Sequence, residues 1–227
     1  MAQRFFAALA FTAVVGASGS ARGFTLLGAD TLNVRDTALD FQVGYPEFLR
    51  FGYHLPVLSS LEIVPRAHFF AAPGWHMAGD TLTAGNFGMR IGADIKWNFW
   101  NSGKWHLAAI WKFGVPLKFT PDFQAGIQLA LPGGVLVDYE LNGQMRLIGG
   151  LHFQSNIMFF ETKNAKGEDE TEAVFNLPMV FELGVEFEIT SHFRMGVTFE
   201  GGPSFFFNDG ASTGGYVGGM LSLQVLL

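Results

Sequence analysis

The stretch from Asn86 to Phe99, NFGMRIGADIKWNF, alternates between two kinds of residue at every position. The apolar set is Phe87, Met89, Ile91, Ala93, Ile95, Trp97 and Phe99. The polar or small set is Asn86, Gly88, Arg90, Gly92, Asp94, Lys96 and Asn98. Because successive side chains of a strand point to opposite faces, this stretch predicts a long β-strand with one apolar and one strongly polar face.

The same alternation recurs along most of the chain, which predicts an all-β protein. The alternating segments are residues 39–45, 49–55, 105–115, 145–159, 175–189, 193–199 and 217–227. Short turns are expected at residues 57–60, 101–103, 141–144 and 190–192, and longer connections at 72–81, 161–173 and 206–215. Short turns at one end of the strands and longer loops at the other are typical of outer-membrane barrels.

The number of strands depends on the interpretation of Pro132-Gly133-Gly134. As a turn, this tripeptide would split residues 123–139 into two strands and give an odd total. We interpret it as a bulge or kink inside one strand, where glycine and proline often mark such an irregularity. The prediction is then about ten strands, an even number, with eight or twelve as the alternatives.

The composition excludes several classes of protein. Charged residues make up only 15% of the 227 residues, whereas hydrophobic residues make up 49% and include 25 Phe. A net charge of -6 gives no basic footprint for nucleic acid, so no nucleic-acid partner is expected. The chain has no cysteine, which excludes a disulfide framework, a thiolate metal site and a cysteine nucleophile.

The N-terminal region predicts export from the cytoplasm. Arg4 is followed by an apolar core at residues 5–15 and a run of small residues at 16–21. This layout predicts a signal peptide at residues 1–21, since the apolar core is too short to span a bilayer. Residues 22–36 are then an irregular lead-in, and residues 37–227 form the barrel.

Aromatic residues gather near the predicted strand ends, as in the aromatic girdles of membrane barrels. Trp97, Trp100 and Trp105 flank one turn, and Phe69 and Trp75 lie at the opposite end of their strands. With this feature, residues 37–227 resemble the small bacterial outer-membrane β-barrel proteins. The resemblance implies a closed antiparallel up-and-down transmembrane β-barrel that is integral to the cell outer membrane. It also implies outer-membrane lipid and the barrel-assembly machinery as partners, and it leaves the oligomeric state open.

The polar faces of the strands are the candidates for lining the lumen. The candidate residues are Arg50, Arg66, Arg90, Asp94, Lys96, Lys112, Arg146, His152, Glu182, Glu186, Arg194 and Glu200. A ten-stranded barrel is close to the size that side chains fill completely, so a salt-bridged polar plug is favoured. The alternative is a narrow porin-like channel for small solutes.

No arrangement of residues in the sequence indicates catalysis. His152 and Ser155 fall on opposite faces of their strand, and no Ser-His-acid set has workable spacing. His76, Asp80 and Asp122 are candidates for a protease-type rim, but they lie on short loops. We therefore expect a structural or interaction role, no enzyme activity, no cofactor and no metal. A lipid-active enzyme or a protease is the less favoured alternative.

Overall fold

A computed structural model describes residues 27–45, 47–70, 87–119, 123–163, 167, 169–207 and 211–227. All regular elements in these ranges are β-strands. They are β1 (Ala38–Tyr45), β2 (Glu47–Leu58), β3 (Leu61–Phe70), β4 (Gly88–Ser102), β5 (Trp105–Lys118), β6 (Gln124–Leu129), β7 (Gly134–Asn142), β8 (Met145–Phe153), β9 (Ser155–Lys163), β10 (Asp169–Thr190), β11 (Phe193–Phe207) and β12 (Ala211–Leu226). In these ranges no helix is long and apolar enough to cross a membrane.

The strand pairings form a ring of ten antiparallel strands. Neighbours in sequence pair with each other around the wall, and β12 pairs with β1 from Ala38 opposite Leu226 to Tyr45 opposite Gly219. The first and last strands therefore meet at a seam. This ring confirms the prediction of an up-and-down antiparallel barrel of about ten strands.

The twelve β-strands form a ring of only ten, because two strands of the wall are each broken in the middle and count twice among the twelve. The first break separates β6 from β7, which both pair with β5, and it lies at Pro132 and Gly133. Gly133 has a φ of 86°, in the left-handed region that favours glycine. The predicted irregularity at Pro132-Gly133-Gly134 is therefore confirmed.

The second break was not predicted, and it separates β8 from β9 at Gln154. Both pieces pair with β10, on either side of Pro178. Proline has no backbone N–H to donate to a neighbouring strand, so the ladder is interrupted opposite it. The backbone N–H of Gln154 still donates to the carbonyl oxygen of Pro178, at 3.0 Å.

The two ends of the ring differ. Tight turns at residues 59–60, 103–104, 143–144 and 191–192 lie at one end, which we call the turn end. The opposite end, the loop end, carries the connections between β1 and β2, β3 and β4, β5 and β6, β9 and β10, and β11 and β12. Two of these loops are shorter than predicted. Glu170 and Glu172 belong to β10 rather than to a loop, and β11 continues to Phe207.

The distribution of polarity is the reverse of that in a soluble protein. Charged side chains such as Glu62 and Glu186 are almost completely buried on the inner face of the ring. Large apolar side chains are exposed on the outer face, with Leu183 69% and Val217 77% exposed. A wall that is apolar outside and polar inside is the arrangement of a barrel in lipid, where the closed ring also leaves no unpaired strand edge.

Aromatic side chains form a belt near each end of the outer face. Near the loop end the ring contacts run through Phe69, Phe48, Phe87, Phe119 and Phe123. Near the turn end Trp97 packs against Phe99, and Trp105 against Tyr139. Girdles of aromatic residues at the two boundaries between lipid and water are typical of membrane barrels, so the belts mark the limits of the apolar band.

Candidate functional site

The inner face carries all the residues that the sequence placed in the lumen. Arg50, Arg66 and Lys112 are half-buried there. The others are buried: Arg90, Asp94, Lys96, Arg146, His152, Glu182, Glu186, Arg194 and Glu200. These residues share the inner face because side chains two positions apart on a strand point to the same side. The structure groups most of them into three layers along the barrel axis.

The middle layer centres on two arginines. The guanidinium of Arg50 on β2 donates two parallel hydrogen bonds to the Glu200 carboxylate on β11, at 2.6 and 2.8 Å. These strands are not neighbours, so the ion pair crosses the interior. Arg66 lies 2.7 Å from Asp94. A two-point contact between Arg and a carboxylate fixes both position and orientation, and here it links two strands that do not pair with each other.

The loop-side layer is built around Arg90. Its guanidinium donates to Glu47 at 2.5 Å, to Gln128 at 3.2 Å and to Gln154 at 3.1 Å. The same Glu47 carboxylate lies 2.8 Å from Nδ1 of His68. Closer to the loop end, Phe70 and Met158 pack together and are fully buried. An apolar contact therefore lies above a connected set of charged and amide groups.

The turn-side layer contains a part of the chain that is not in the wall. Residues 27–32, which we call the N-terminal segment, lie among inner-face side chains without joining the ladder. The backbone N–H groups of Ala29 and Asp30 donate to the Asp138 carboxylate at 2.8 and 3.0 Å. The N–H of Leu32 donates to Glu62 at 3.1 Å.

Wall side chains also bind the carbonyl groups of the N-terminal segment. Lys96 donates to the carbonyl oxygen of Gly28 at 3.3 Å, and Asn98 donates to that of Ala29 at 3.0 Å. Buried backbone groups need partners, and for this segment the wall supplies them in place of a neighbouring strand.

The side chains of the N-terminal segment fit their surroundings. Ala29 is fully buried against Ala108, Ile110 and Leu136. Leu32 packs on Ala38 and Leu226, the two residues that begin the seam.

Asp30 is the charged residue of the N-terminal segment. Its carboxylate lies 3.3 Å from Arg146 and 3.7 Å from His106. Burial raises the pKa of Asp30 above its ordinary value, and this effect outweighs the attraction of His106 and Arg146, which lowers it.

Residues 22–36 were expected only as an irregular lead-in, and the insertion of residues 27–32 into the interior was not predicted. Gly28 and Ala29 are small enough to pass between wall side chains, but a run of small residues does not identify its partners. The wall also has a small residue where the segment approaches it. A Cβ at Gly196 would lie only 2.6 Å from Leu27, so glycine leaves the space that the segment needs. The predicted signal peptide lies outside the described residues and stays a prediction.

Two small cavities lie among the described residues of the inner face. One cavity has about 20 Å³ of water-accessible space and another about 40 Å³. They share Arg50, Arg66, His68, Asp94 and Lys112 in their linings. Cavities of this size hold one to a few water molecules, about 10–15 Å³ being the least that one water needs.

The buried histidines of the inner face contact other polar side chains. His54 lies 2.5 Å from Glu62, and His152 lies 3.1 Å from the amine of Lys112. Within the described ranges, His, Cys, Asp and Glu side chains form no group of three suited to a metal. The predicted rim candidates His76, Asp80 and Asp122 lie outside those ranges.

Comparisons with known proteins give only distant likenesses. No family model matches the chain, and no curated protein matches it. It is similar to the outer membrane protease OmpT of Escherichia coli, with 7% identity and a TM-score of 0.42, over 84% of this chain and 95% of that one. It is also similar to OmpT, an outer membrane protein of Vibrio cholerae, with 12% identity and a TM-score of 0.31, over 93% and 71%.

One prediction is corrected by these comparisons. The exclusion of enzyme activity is contradicted, because the Escherichia coli barrel is itself a protease, and it is withdrawn. A likeness at 7% identity assigns no catalytic residue to this chain.

The class of the protein follows from its own structure. The closed ring of strands, the apolar outer face and the two aromatic belts together make the chain an integral outer-membrane β-barrel.

Proposed function

We propose that the protein is a closed outer-membrane barrel with a structural or interaction role, and that its polar interior is a plug. The observation that carries the proposal is the ion pair between Arg50 on β2 and Glu200 on β11, which passes through the interior between strands that are separated in the wall by β12 and β1. Side chains from Arg90 and the N-terminal segment occupy the layers on either side of it. In this role the barrel anchors and spaces its loops at the outer surface, its outer face contacts lipid, and the barrel-assembly machinery inserts it.

Energetics support a permanent plug. Opening a path through the middle layer would separate Arg50 from Glu200 while both remain largely out of water. Leaving one buried charge without its partner costs about 3–5 kcal/mol, so thermal motion alone would rarely open the interior.

The test is single-channel recording of the folded barrel in a planar bilayer. A gel that compares boiled and unboiled samples first establishes that the protein has folded. We expect no discrete conductance steps from the wild-type protein. Discrete steps would contradict the plug and favour a narrow channel, and the Arg50→Ala variant would then change their size or ion selectivity.

A second candidate function is hydrolysis at the loop end. The observation that favours it is the contact between Glu47 and His68, a carboxylate that orients an imidazole. His68 also lines the smaller cavity, so the ring borders a space that holds water. A histidine oriented in this way can act as a general base that activates water.

This candidate is tested by turnover of fluorogenic peptides and short-chain esters in detergent. We expect His68→Gln to lower turnover by about 100-fold or more. The matched control is His54→Gln, because His54 also pairs with a glutamate but is buried near the turn end. Absence of turnover by the wild-type protein, or equal loss in both variants, would contradict the hydrolase.

A further inference from the structure

The turn-side half of the interior has the features of a peptide-binding site. Wall side chains from β3, β4 and β7 bind the backbone of the N-terminal segment. They accept from the N–H groups of residues 29, 30 and 32, and they donate to the carbonyl groups of residues 28 and 29. We propose that these wall residues form a binding site for a short extended peptide. The N-terminal segment is its resident ligand, and the site takes a separate peptide of the same kind when the segment is displaced.

Recognition of the backbone gives affinity for any extended peptide. Asp138 accepts two consecutive N–H groups, and Asn98 donates to the carbonyl between them. A wall side chain thus replaces the strand that would otherwise satisfy these groups. The wall itself is closed by pairing of β1 with β12, so the segment is not needed to complete the ring.

Two side-chain positions give selectivity. The space around Ala29 is bounded by Ala108, Ile110 and Leu136, which leaves room only for a small residue. The next position faces Arg146 and His106, whose N–H groups suit a carboxyl group and whose positive charge excludes a basic side chain. The ligand is therefore a peptide with a small residue followed by an acidic one, as in Leu-Gly-Ala-Asp-Thr-Leu at residues 27–32.

The first experiment asks whether the segment can be displaced. The chain has no cysteine, so Thr31→Cys in the full-length protein introduces a single thiol at a buried position. We expect slow reaction with a maleimide in this variant, and a reaction at least about tenfold faster once Ala29→Trp is added, because an indole does not fit the space around Ala29. Equal rates would contradict the size selection at residue 29.

The second experiment measures binding of a separate peptide. A fluorescent Leu-Gly-Ala-Asp-Thr-Leu peptide is titrated into folded wild-type protein and the folded Ala29→Trp variant. We expect saturable binding to the variant and none to the wild type, whose site is occupied. A peptide with Trp in place of Ala is the control ligand. No binding to a variant whose thiol is exposed would overturn the proposal.

Two further variants complete the test: one removes a contact between the wall and the peptide, and the other replaces Ala29→Trp if that variant does not fold. Asn98→Ala added to Ala29→Trp removes a hydrogen bond to the peptide backbone, and we expect binding about 3–10-fold weaker. If Ala29→Trp gives no folded barrel, Asp30→Lys replaces it, since a cation faces Arg146 at that position. Conductance by the wild type would contradict the plug without affecting these binding results, so the two proposals fail separately.

Discussion

At the scale of single residues, many charged side chains of the interior are held in ion pairs. Arg50 contacts Glu47 on its own strand and Glu200 on β11, which does not pair with β2. The alternation in the sequence separates the two faces of each strand, and the charged residues of the polar face are buried or half-buried in the structure. It could not indicate which of them pair, because the pairing depends on the curvature of the wall and on residues 150 positions apart.

Replacing Arg50 tests this dependence. We expect Arg50→Ala to lower the free energy of unfolding by about 3–5 kcal/mol, because two buried carboxylates lose a partner. Equilibrium unfolding in urea with lipid vesicles measures the change. Lys104→Ala, at an exposed turn, is the control and should change little. A loss below about 1 kcal/mol would mean that water reaches these carboxylates freely.

The raised pKa of Asp30 predicts a pH dependence for the N-terminal segment. The docked segment favours the protonated carboxyl, so docking is strongest below the ordinary pKa of 3.8 and weakens as pH rises through the raised pKa. Protection of the Thr31→Cys thiol measures docking, with a dipyridyl disulfide reagent, which stays reactive in acid, and with the rate at each pH divided by that of an exposed thiol. Adding Asp30→Asn should flatten the profile. An unchanged profile would assign the pH dependence to Asp138, Arg146 or His106 instead, since these groups face Asp30.

At the scale of elements, the two broken strands show what local sequence can reveal. The break at Pro132 is visible in the sequence because proline and two glycines interrupt the alternation. The break at Gln154 is not visible, because its cause is Pro178 on another strand. Only the register of β8 and β9 along β10 brings Pro178 opposite Gln154.

The first break predicts a difference between two glycines. Gly133 has a positive φ, and a Cβ there would lie 2.7 Å from Trp111 and 2.9 Å from a backbone oxygen. We expect Gly133→Ala to destabilise the barrel by about 1–3 kcal/mol. Gly143→Ala is the matched control, because a Cβ at Gly143 meets nothing within 4 Å. Thermal unfolding followed by gel mobility compares them, and equal melting temperatures would contradict strain at Gly133.

At the scale of the whole molecule, the apolar band and its belts define how the barrel meets the membrane. Composition and alternation were sufficient to predict an apolar outer face and a polar inner face, because this arrangement depends only on whether each residue is polar or apolar. The N-terminal segment was not predictable in the same way. Its place depends on four wall residues that come together only when the ring has formed.

The apolar band predicts that the free-energy cost of a charged residue on the outer face depends on its depth in the membrane. Leu183 lies between Phe175 and Phe187 along β10, far from both belts, and is 69% exposed to the surroundings. We expect Leu183→Arg to cost about 2–4 kcal/mol and Val57→Arg, beside the turn at residues 59–60, about 0–1 kcal/mol. Unfolding in lipid vesicles measures both. Equal costs would mean that the apolar band does not lie where the belts place it.

Leu32 has a consequence for how the barrel comes apart. This side chain touches Ala38 on β1 and Leu226 on β12, so it bridges the two strands of the seam from the inside. We therefore expect the N-terminal segment to stabilise the barrel against separation of β1 from β12. Loss of the segment and changes in the last strand are expected to weaken the same contact, the pairing of β1 with β12, without abolishing it.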